Sequence, residues 1–140
     1  MRANIFRGKG INNGEWIHGD LYQKEDWYII DNIFGNYVVV DAETVGQYTG
    51  LEAHCGDIVE DVSSFLFEGD VCELKLFNPV GDLDNVYIGT IDYYNGAFWF
   101  VSINQEDIMI PLYKIKNIQS NLTILGNKYD HLELLKRMYL

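Results

Sequence analysis

Alternation of apolar and polar residues is the sequence feature that most constrains the fold. The segments "EWIHGDLY" (15–22), "DVCELKLF" (70–77) and "VYIGTIDYY" (86–94) repeat with a period of two, the period at which strand side chains change face. The dipeptides Asn13-Gly14 and Asn95-Gly96 favour hairpin turns, because both residue types tolerate positive φ. This pattern predicts a mainly β protein, and Pro111 within "DIMIPLY" predicts an edge strand or a bulge.

The C-terminal segment "DHLELLKRMYL" (130–140) follows a different pattern. Its apolar residues recur at helical spacing, and Asp130 and Glu133 are spaced as in a capping box. We therefore expect one short C-terminal helix beside the β core.

The stretch "ETVGQYTGL" (43–51) is neither cleanly strand nor cleanly helix. It contains two glycines, which permit backbone angles closed to other residues, and Thr44 is expected to cap a short turn. We interpret it as a structural joint in a chain of 140 residues, a length that suits one domain or two small ones. The expected organisation is an N-terminal β subdomain over 1–51 and a second subdomain over 52–140.

The N-terminus and the cysteines indicate a cellular compartment. Arg7 and Lys9 interrupt the apolar pair Ile5-Phe6, unlike the apolar core of a signal peptide, and no run approaches the roughly 18 apolar residues of a membrane span. We expect a cytoplasmic protein without membrane contact. Its two thiols, Cys55 and Cys72, are expected to stay reduced, with Cys72 on the core face of its strand.

The charge distribution bears on partners. The net charge is −11, and no Lys or Arg lies between Glu25 and Leu74. Nucleic-acid binding needs clustered basic residues to displace counterions from phosphates, so direct binding is disfavoured. A basic protein partner or a cation fits this charge better.

Two groups of residues are candidates for contact with a partner. One is acidic and follows the joint, and the other is a tyrosine pair beside Asn95-Gly96. The candidate residues are Glu52, Asp57, Glu60, Asp61, Tyr93 and Tyr94. Unpaired strand edges also make a homo-oligomer plausible.

No residue pattern in the chain indicates a catalytic, cofactor or metal site. His54 and Cys55 are adjacent, so on a strand they would point to opposite faces and not activate one another. With Cys72 they supply three of the four ligands typical of structural zinc, and weak metal binding there stays open. We expect no cofactor, since "GDIVED" lacks calcium-loop spacing and "GKG" lacks a phosphate-loop pattern.

Four blocks occur in an order that resembles the YopX family, small proteins encoded by bacteriophages and prophages. The blocks are "FRGKGINNGEWIHGDL" (6–21), "ETVGQYTGL" (43–51), "FEGDV" (67–71) and "ILGNKYDHLELL" (124–135). The resemblance implies an irregular N-terminal antiparallel sheet and an SH3-like, partly open barrel. It implies no activity and assigns no catalytic residue.

Three functions follow from this reasoning. The preferred hypothesis is a phage or prophage accessory protein that acts as a non-catalytic protein-interaction module. The first alternative is an acidic DNA mimic that inhibits a host nucleic-acid enzyme by presenting carboxylates as phosphate surrogates. The second is a carboxylate-dependent hydrolase, which would need two convergent acids in a pocket.

Overall fold

The computed structural model describes residues 5–32, 35–55, 63–103 and 108–130. Eleven strands dominate these residues, which confirms the predicted mainly β fold. The strands are β1 (Phe6–Lys9), β2 (Trp16–Lys24), β3 (Trp27–Asp31), β4 (Tyr37–Val40), β5 (Gly46–Cys55), β6 (Ser63–Phe67), β7 (Asp70–Phe77), β8 (Leu83–Tyr94), β9 (Ala97–Ser102), β10 (Met109–Pro111) and β11 (Leu122–Asn127).

Helical structure is short in this part of the chain. It comprises two 3₁₀ helices, Ala42–Thr44 and Leu112–Lys114, and one α-helix, α1 (Ile118–Asn121). None of these described helices has the length and apolar character required to cross a bilayer. The predicted C-terminal helix falls beyond residue 130 and so lies outside the described residues.

The chain divides into two compact units, Met1–Gly50 and Leu51–Leu140, and β5 runs across the division. In the first unit, β1, β2, β3 and β4 pair in sequence order, all antiparallel, and β1 also pairs with the start of β5. The end of β4 returns to β1: the Asp41 N–H donates to the Lys9 carbonyl at 2.8 Å, and the Ile11 N–H to the Val39 carbonyl at 3.0 Å.

The core of the first unit is small. Among its described hydrophobic residues only Ile30 and Val40 are buried. Gly8 allows these two to approach β1 closely, because a Cβ at Gly8 would lie 3.0 Å from Val40 and 3.3 Å from Ile30. Polar residues, including Arg7 and Thr44, are buried beside this core.

In the second unit the strand order is β10-β9-β8-β7-β11-β5, with β6 also paired to β5. The β11–β5 pair is parallel, and the β7–β11, β7–β8, β8–β9 and β9–β10 pairs are antiparallel. The sheet is open and ends at β10. Pro111 lies on this end strand, which confirms the predicted edge position.

A single hydrophobic cluster fills the second unit. Its buried members are Ala53, Leu66, Cys72, Leu74, Tyr87, Ile91, Phe100, Leu112, Ile115, Leu122 and Ile124. The predicted inward orientation of Cys72 is therefore confirmed. Gly89 is required beside Phe100, because a Cβ there would collide with the Val101 carbonyl and lie 2.8 Å from the Phe100 ring.

The stretch 43–51 differs from the expectation that Thr44 caps a short turn. It forms the end of a 3₁₀ helix and then strand β5, and the N-cap is Asp41, whose side chain accepts from the Glu43 N–H. The Thr44 hydroxyl instead accepts from the Lys9 N–H at 2.9 Å and donates to the Asp41 carbonyl at 2.7 Å. Local sequence predicted the turn but not this partner on β1.

Candidate partner-binding surfaces

The structure separates the predicted partner-binding residues that it describes. Glu52 lies on β5, whereas Tyr93 and Tyr94 end β8 and are exposed. Three strand steps separate β8 from β5, which is roughly 14 Å at about 4.8 Å per step. These residues therefore do not form one site. Asp57, Glu60 and Asp61 lie outside the described residues.

The Tyr93-Tyr94 hairpin is an ordered aromatic projection. Asn95 and Gly96 both have positive φ, 54° and 81°, as the predicted two-residue turn requires. The Tyr93 ring meets the Phe98 ring edge-on at a centroid distance of 5.1 Å, and the Trp99 indole N–H donates to the Tyr94 carbonyl at 2.9 Å. The hairpin turn was predicted, and these aromatic contacts add rigidity to it.

A second exposed surface lies in the first unit. Tyr22 pairs with Ile29 across β2 and β3, and Trp27 stands two residues before Ile29, so both project from the side of the sheet that carries Ile29. Tyr37 pairs with Asp31, two residues after Ile29, and shares that side. Tyr22, Trp27 and Tyr37 are 49%, 54% and 70% exposed. We call this side of β2–β4 the aromatic face.

Two carboxylates oppose each other on the aromatic face. Asp20 and Asp31 are direct cross-strand partners, and like charges in that position destabilise a strand pair. One oxygen of Asp31, Oδ1, is buried without a hydrogen-bond partner in the structure.

A half-open cavity of about 400 Å³ lies within the first unit. Its lining residues come from the end of β1, the loop after it, the β2–β3 turn and the end of β4. They are Lys9, Gly10, Ile11, Gly14, Asp26, Trp27, Tyr28, Val40, Asp41 and Ala42. We call it the Trp27 cavity, because Trp27 belongs both to it and to the aromatic face.

The polar side chains that line the Trp27 cavity differ in their hydrogen bonding. Among the described residues, the Asp26 carboxylate and the Trp27 indole N–H have no hydrogen-bond or ion-pair partner, while Asp41 Oδ1 accepts from the Glu43 N–H at 3.1 Å. The sequence signal for this site was weak: an acid within a β-hairpin turn and a tryptophan directly after it.

The basic residues near this cavity lie against another tryptophan. The Arg7 guanidinium is 4.7 Å, and the Lys9 ammonium 5.6 Å, from the centroid of the Trp16 ring, and cations bind favourably to an indole face. Partial burial, and then the charge of Arg7, lowers the pKa of His18 below its ordinary value of 6.5. Arg7, its cross-strand neighbour His18 and Trp16 thus form a structural cluster.

His54 and Cys55 take consecutive positions on β5, opposite Thr123 and Ile124 of β11. Their side chains therefore point to opposite faces, as predicted, while Cys72 is buried in the core cluster. Within the described ranges, no group of three or more His, Cys, Asp or Glu side chains is placed to hold a metal ion.

Residues of the blocks "FEGDV" and "ILGNKYD" contact one another at the turn between β6 and β7. The Asp70 carboxylate, on a residue only 2% exposed, accepts from the Phe67 N–H at 2.8 Å, and Gly69 between them has a φ of 94°. Gly69 accepts from the Lys128 N–H at 3.0 Å, and the Tyr129 ring packs where a Gly69 side chain would lie. These contacts give the two blocks a structural role.

The blocks "FRGK" and "ETVGQYTGL" join in the same way within the first unit. Arg7 pairs with Gly46 and Phe6 with Gln47, and Thr44 accepts from the Lys9 N–H. The geometry therefore gives these sequence blocks a role as joints between strands.

No family model matches this chain, and no curated protein sequence matches it.

Proposed function

We propose that this chain is a small bacteriophage or prophage accessory protein that binds a basic protein partner in the host cytoplasm and performs no catalysis. The observation that carries the proposal is the aromatic face, where Tyr22, Trp27 and Tyr37 are exposed on paired strands. The four sequence blocks that resemble the YopX family support the phage origin.

The aromatic face has the properties of a protein-binding surface. Tyr and Trp are enriched at interfaces, because each offers a large apolar area together with a polar group. The rings of Tyr22 and Tyr37 already contact one another, with centroids 6.5 Å apart. Since both side chains stand on paired strands and contact one another, they lose little conformational freedom when a partner binds.

The charge of the first unit favours a basic partner. Its described residues contain seven carboxylates and three Lys or Arg residues, and Arg7 and Lys9 are directed to Trp16. The excess of carboxylates gives this unit a negative electrostatic field, which would speed the approach of a basic protein and disfavour an acidic one.

A crosslinking experiment with matched variants tests this function. The full-length tagged chain is expressed in a bacterial host, crosslinked, purified and analysed by mass spectrometry, and each captured protein is then purified and titrated with the chain. Tyr22→Ser/Tyr37→Ser removes two tyrosines from the aromatic face, and Tyr93→Ser/Tyr94→Ser removes two from the second unit. We expect a basic partner whose affinity falls at least tenfold, about 1.4 kcal/mol, in the first variant only.

Three results would contradict the proposal. One is the absence of any protein that binds in the purified titration. Another is equal binding by the wild-type chain and Tyr22→Ser/Tyr37→Ser, with loss in Tyr93→Ser/Tyr94→Ser, which would assign binding to the other unit. The third is a captured nucleic-acid enzyme that DNA displaces, which would favour the DNA mimic.

A further inference from the structure

We infer that the Trp27 cavity receives a lysine or arginine side chain of the protein partner. This inference rests on the proposed function and names the chemistry of the contact. The cavity has a lining that includes an exposed tryptophan, Trp27, and two carboxylates, Asp26 and Asp41.

The residues of the cavity favour a cation. Tryptophan is the best aromatic residue for binding a Lys or Arg cation over its ring, and Trp27 is 54% exposed. Asp26 and Asp41 add two carboxylates to the lining. Lys9 also belongs to the lining, so two carboxylates face one cation there, and its ammonium lies 5.6 Å from the centroid of the Trp16 ring, which is outside the lining.

The turn before Trp27 positions these groups in advance. Lys24 and Trp27 form the last pair of the β2–β3 hairpin, and Glu25 has a φ of 56°, so Glu25 and Asp26 make a tight two-residue connection. Asp41 is held as the N-cap of the following 3₁₀ helix. Since both carboxylates stand on ordered backbone, little ordering is needed when a cation binds.

The shape of the cavity favours one side chain over a whole small molecule. Ligand pockets usually enclose 70–90% of a drug-sized molecule, whereas this cavity is half-open at about 400 Å³. An open recess beside an exposed sheet face instead suits a side chain that projects from a larger surface.

Nuclear magnetic resonance tests the contact without the partner. The full-length ¹⁵N-labelled chain is titrated with the blocked peptides Gly-Arg-Gly, Gly-Lys-Gly and Gly-citrulline-Gly, the last a neutral analogue of the arginine peptide. We expect the Trp27 indole signal and the Gly10 and Asp41 amides to shift with the two cationic peptides. The Trp99 indole should not shift, and citrulline should bind roughly tenfold more weakly, since 1.4 kcal/mol is a factor of ten.

Charge-matched variants separate a specific site from general attraction. Asp26→Asn/Asp41→Asn removes two charges from the cavity, and Asn retains the capping capacity of Asp41. Asp82→Asn/Asp84→Asn removes two charges from the other unit. We expect at least a tenfold loss of peptide affinity in the first variant and less than a twofold change in the second, with unaltered dispersion of the remaining amide signals.

The outcomes distinguish this inference from the proposed function. Equal binding of citrulline and arginine peptides, or equal losses in the two charge variants, would overturn the cavity assignment even if a basic partner is captured. Cationic peptides that shift Trp27 in a chain that binds no protein would support the cavity and contradict the proposed function.

Discussion

The two units of this chain are stabilised by different means. The second unit buries one continuous apolar cluster that includes Phe100, Leu74 and Ile91. The described part of the first unit buries only Ile30 and Val40 among its hydrophobic residues, beside Arg7, Thr44 and Thr49. Burial of large apolar side chains is therefore the main stabilising term in the second unit, while hydrogen bonds contribute a larger share in the first.

This difference has a consequence for binding. A small core leaves aromatic side chains of the first unit available for its surface, and Tyr22, Trp27 and Tyr37 are exposed there. The second unit buries Phe100, but it also exposes Tyr93 and Tyr94. The first unit is distinguished because its exposed rings share one side of paired strands, and the following variants test the contrast between the two units.

The largest effect is expected from Phe100→Ala in the second unit. Truncating a buried phenylalanine leaves a cavity and costs about 3–5 kcal/mol of unfolding free energy, and Phe100 is fully buried. Chemical denaturation measures the loss, with Phe100→Leu as the control of similar chemistry. In the first unit Ile30→Ala should cost less, within about 2–5 kcal/mol. A larger loss for Ile30→Ala than for Phe100→Ala would break the comparison.

A second effect concerns the turn between β6 and β7. Asp70→Ala leaves the buried Phe67 N–H without its acceptor, which should cost about 1–3 kcal/mol. Asp70→Asn keeps an acceptor oxygen and should lose less stability in the same denaturation experiment. Equal losses would show that the charge of Asp70, and not this hydrogen bond, is what the turn requires.

Local pattern predicted the elements whose cause is local. Alternation predicted Cys72 on the core face, Asn95-Gly96 predicted a hairpin turn, and Pro111 predicted an edge strand or a bulge. Each of these properties depends on a few neighbouring residues, so the sequence contains the necessary information.

Contacts between distant segments were not predictable in this way. The parallel pairing of Ile124 with Cys55 and the packing of Phe100 against Gly89 depend on which strands become neighbours, and alternation does not specify that. The aromatic face shows the same difficulty. In "WYII" both sides are apolar, so the pattern could not tell that Trp27 would be exposed and Ile30 buried.

A third effect tests the joint of the first unit. Thr44→Val removes the acceptor of the Lys9 N–H and the donor to the Asp41 carbonyl, so we expect a loss of about 1 kcal/mol. Thr44→Ser retains the hydroxyl and should retain most of the stability. Hydrogen exchange at the Lys9 amide is the direct measurement. Unchanged protection in Thr44→Val would show that this bond does not hold the joint.

The smallest effect is a pH dependence specific to the first unit. Partial burial and the charge of Arg7 lower the pKa of His18 in the folded chain, so between that lowered pKa and 6.5 the unfolded chain binds more protons than the folded one. Stability should therefore be complete above pH 6.5 and fall as the pH drops through this window. Because the partly buried His18 side chain keeps contact with solvent, solvent screening keeps the loss small.

His18→Gln removes the titrating ring and should flatten the pH dependence of β2 amide exchange, whereas His54→Gln in the second unit serves as the matched control. An equal change in both variants, or stability that rises as the pH falls below 6.5, would contradict the assignment to His18. A flatter pH dependence in His18→Gln but not in His54→Gln would show that His18, beside Arg7 and Trp16, makes the first unit sensitive to acid.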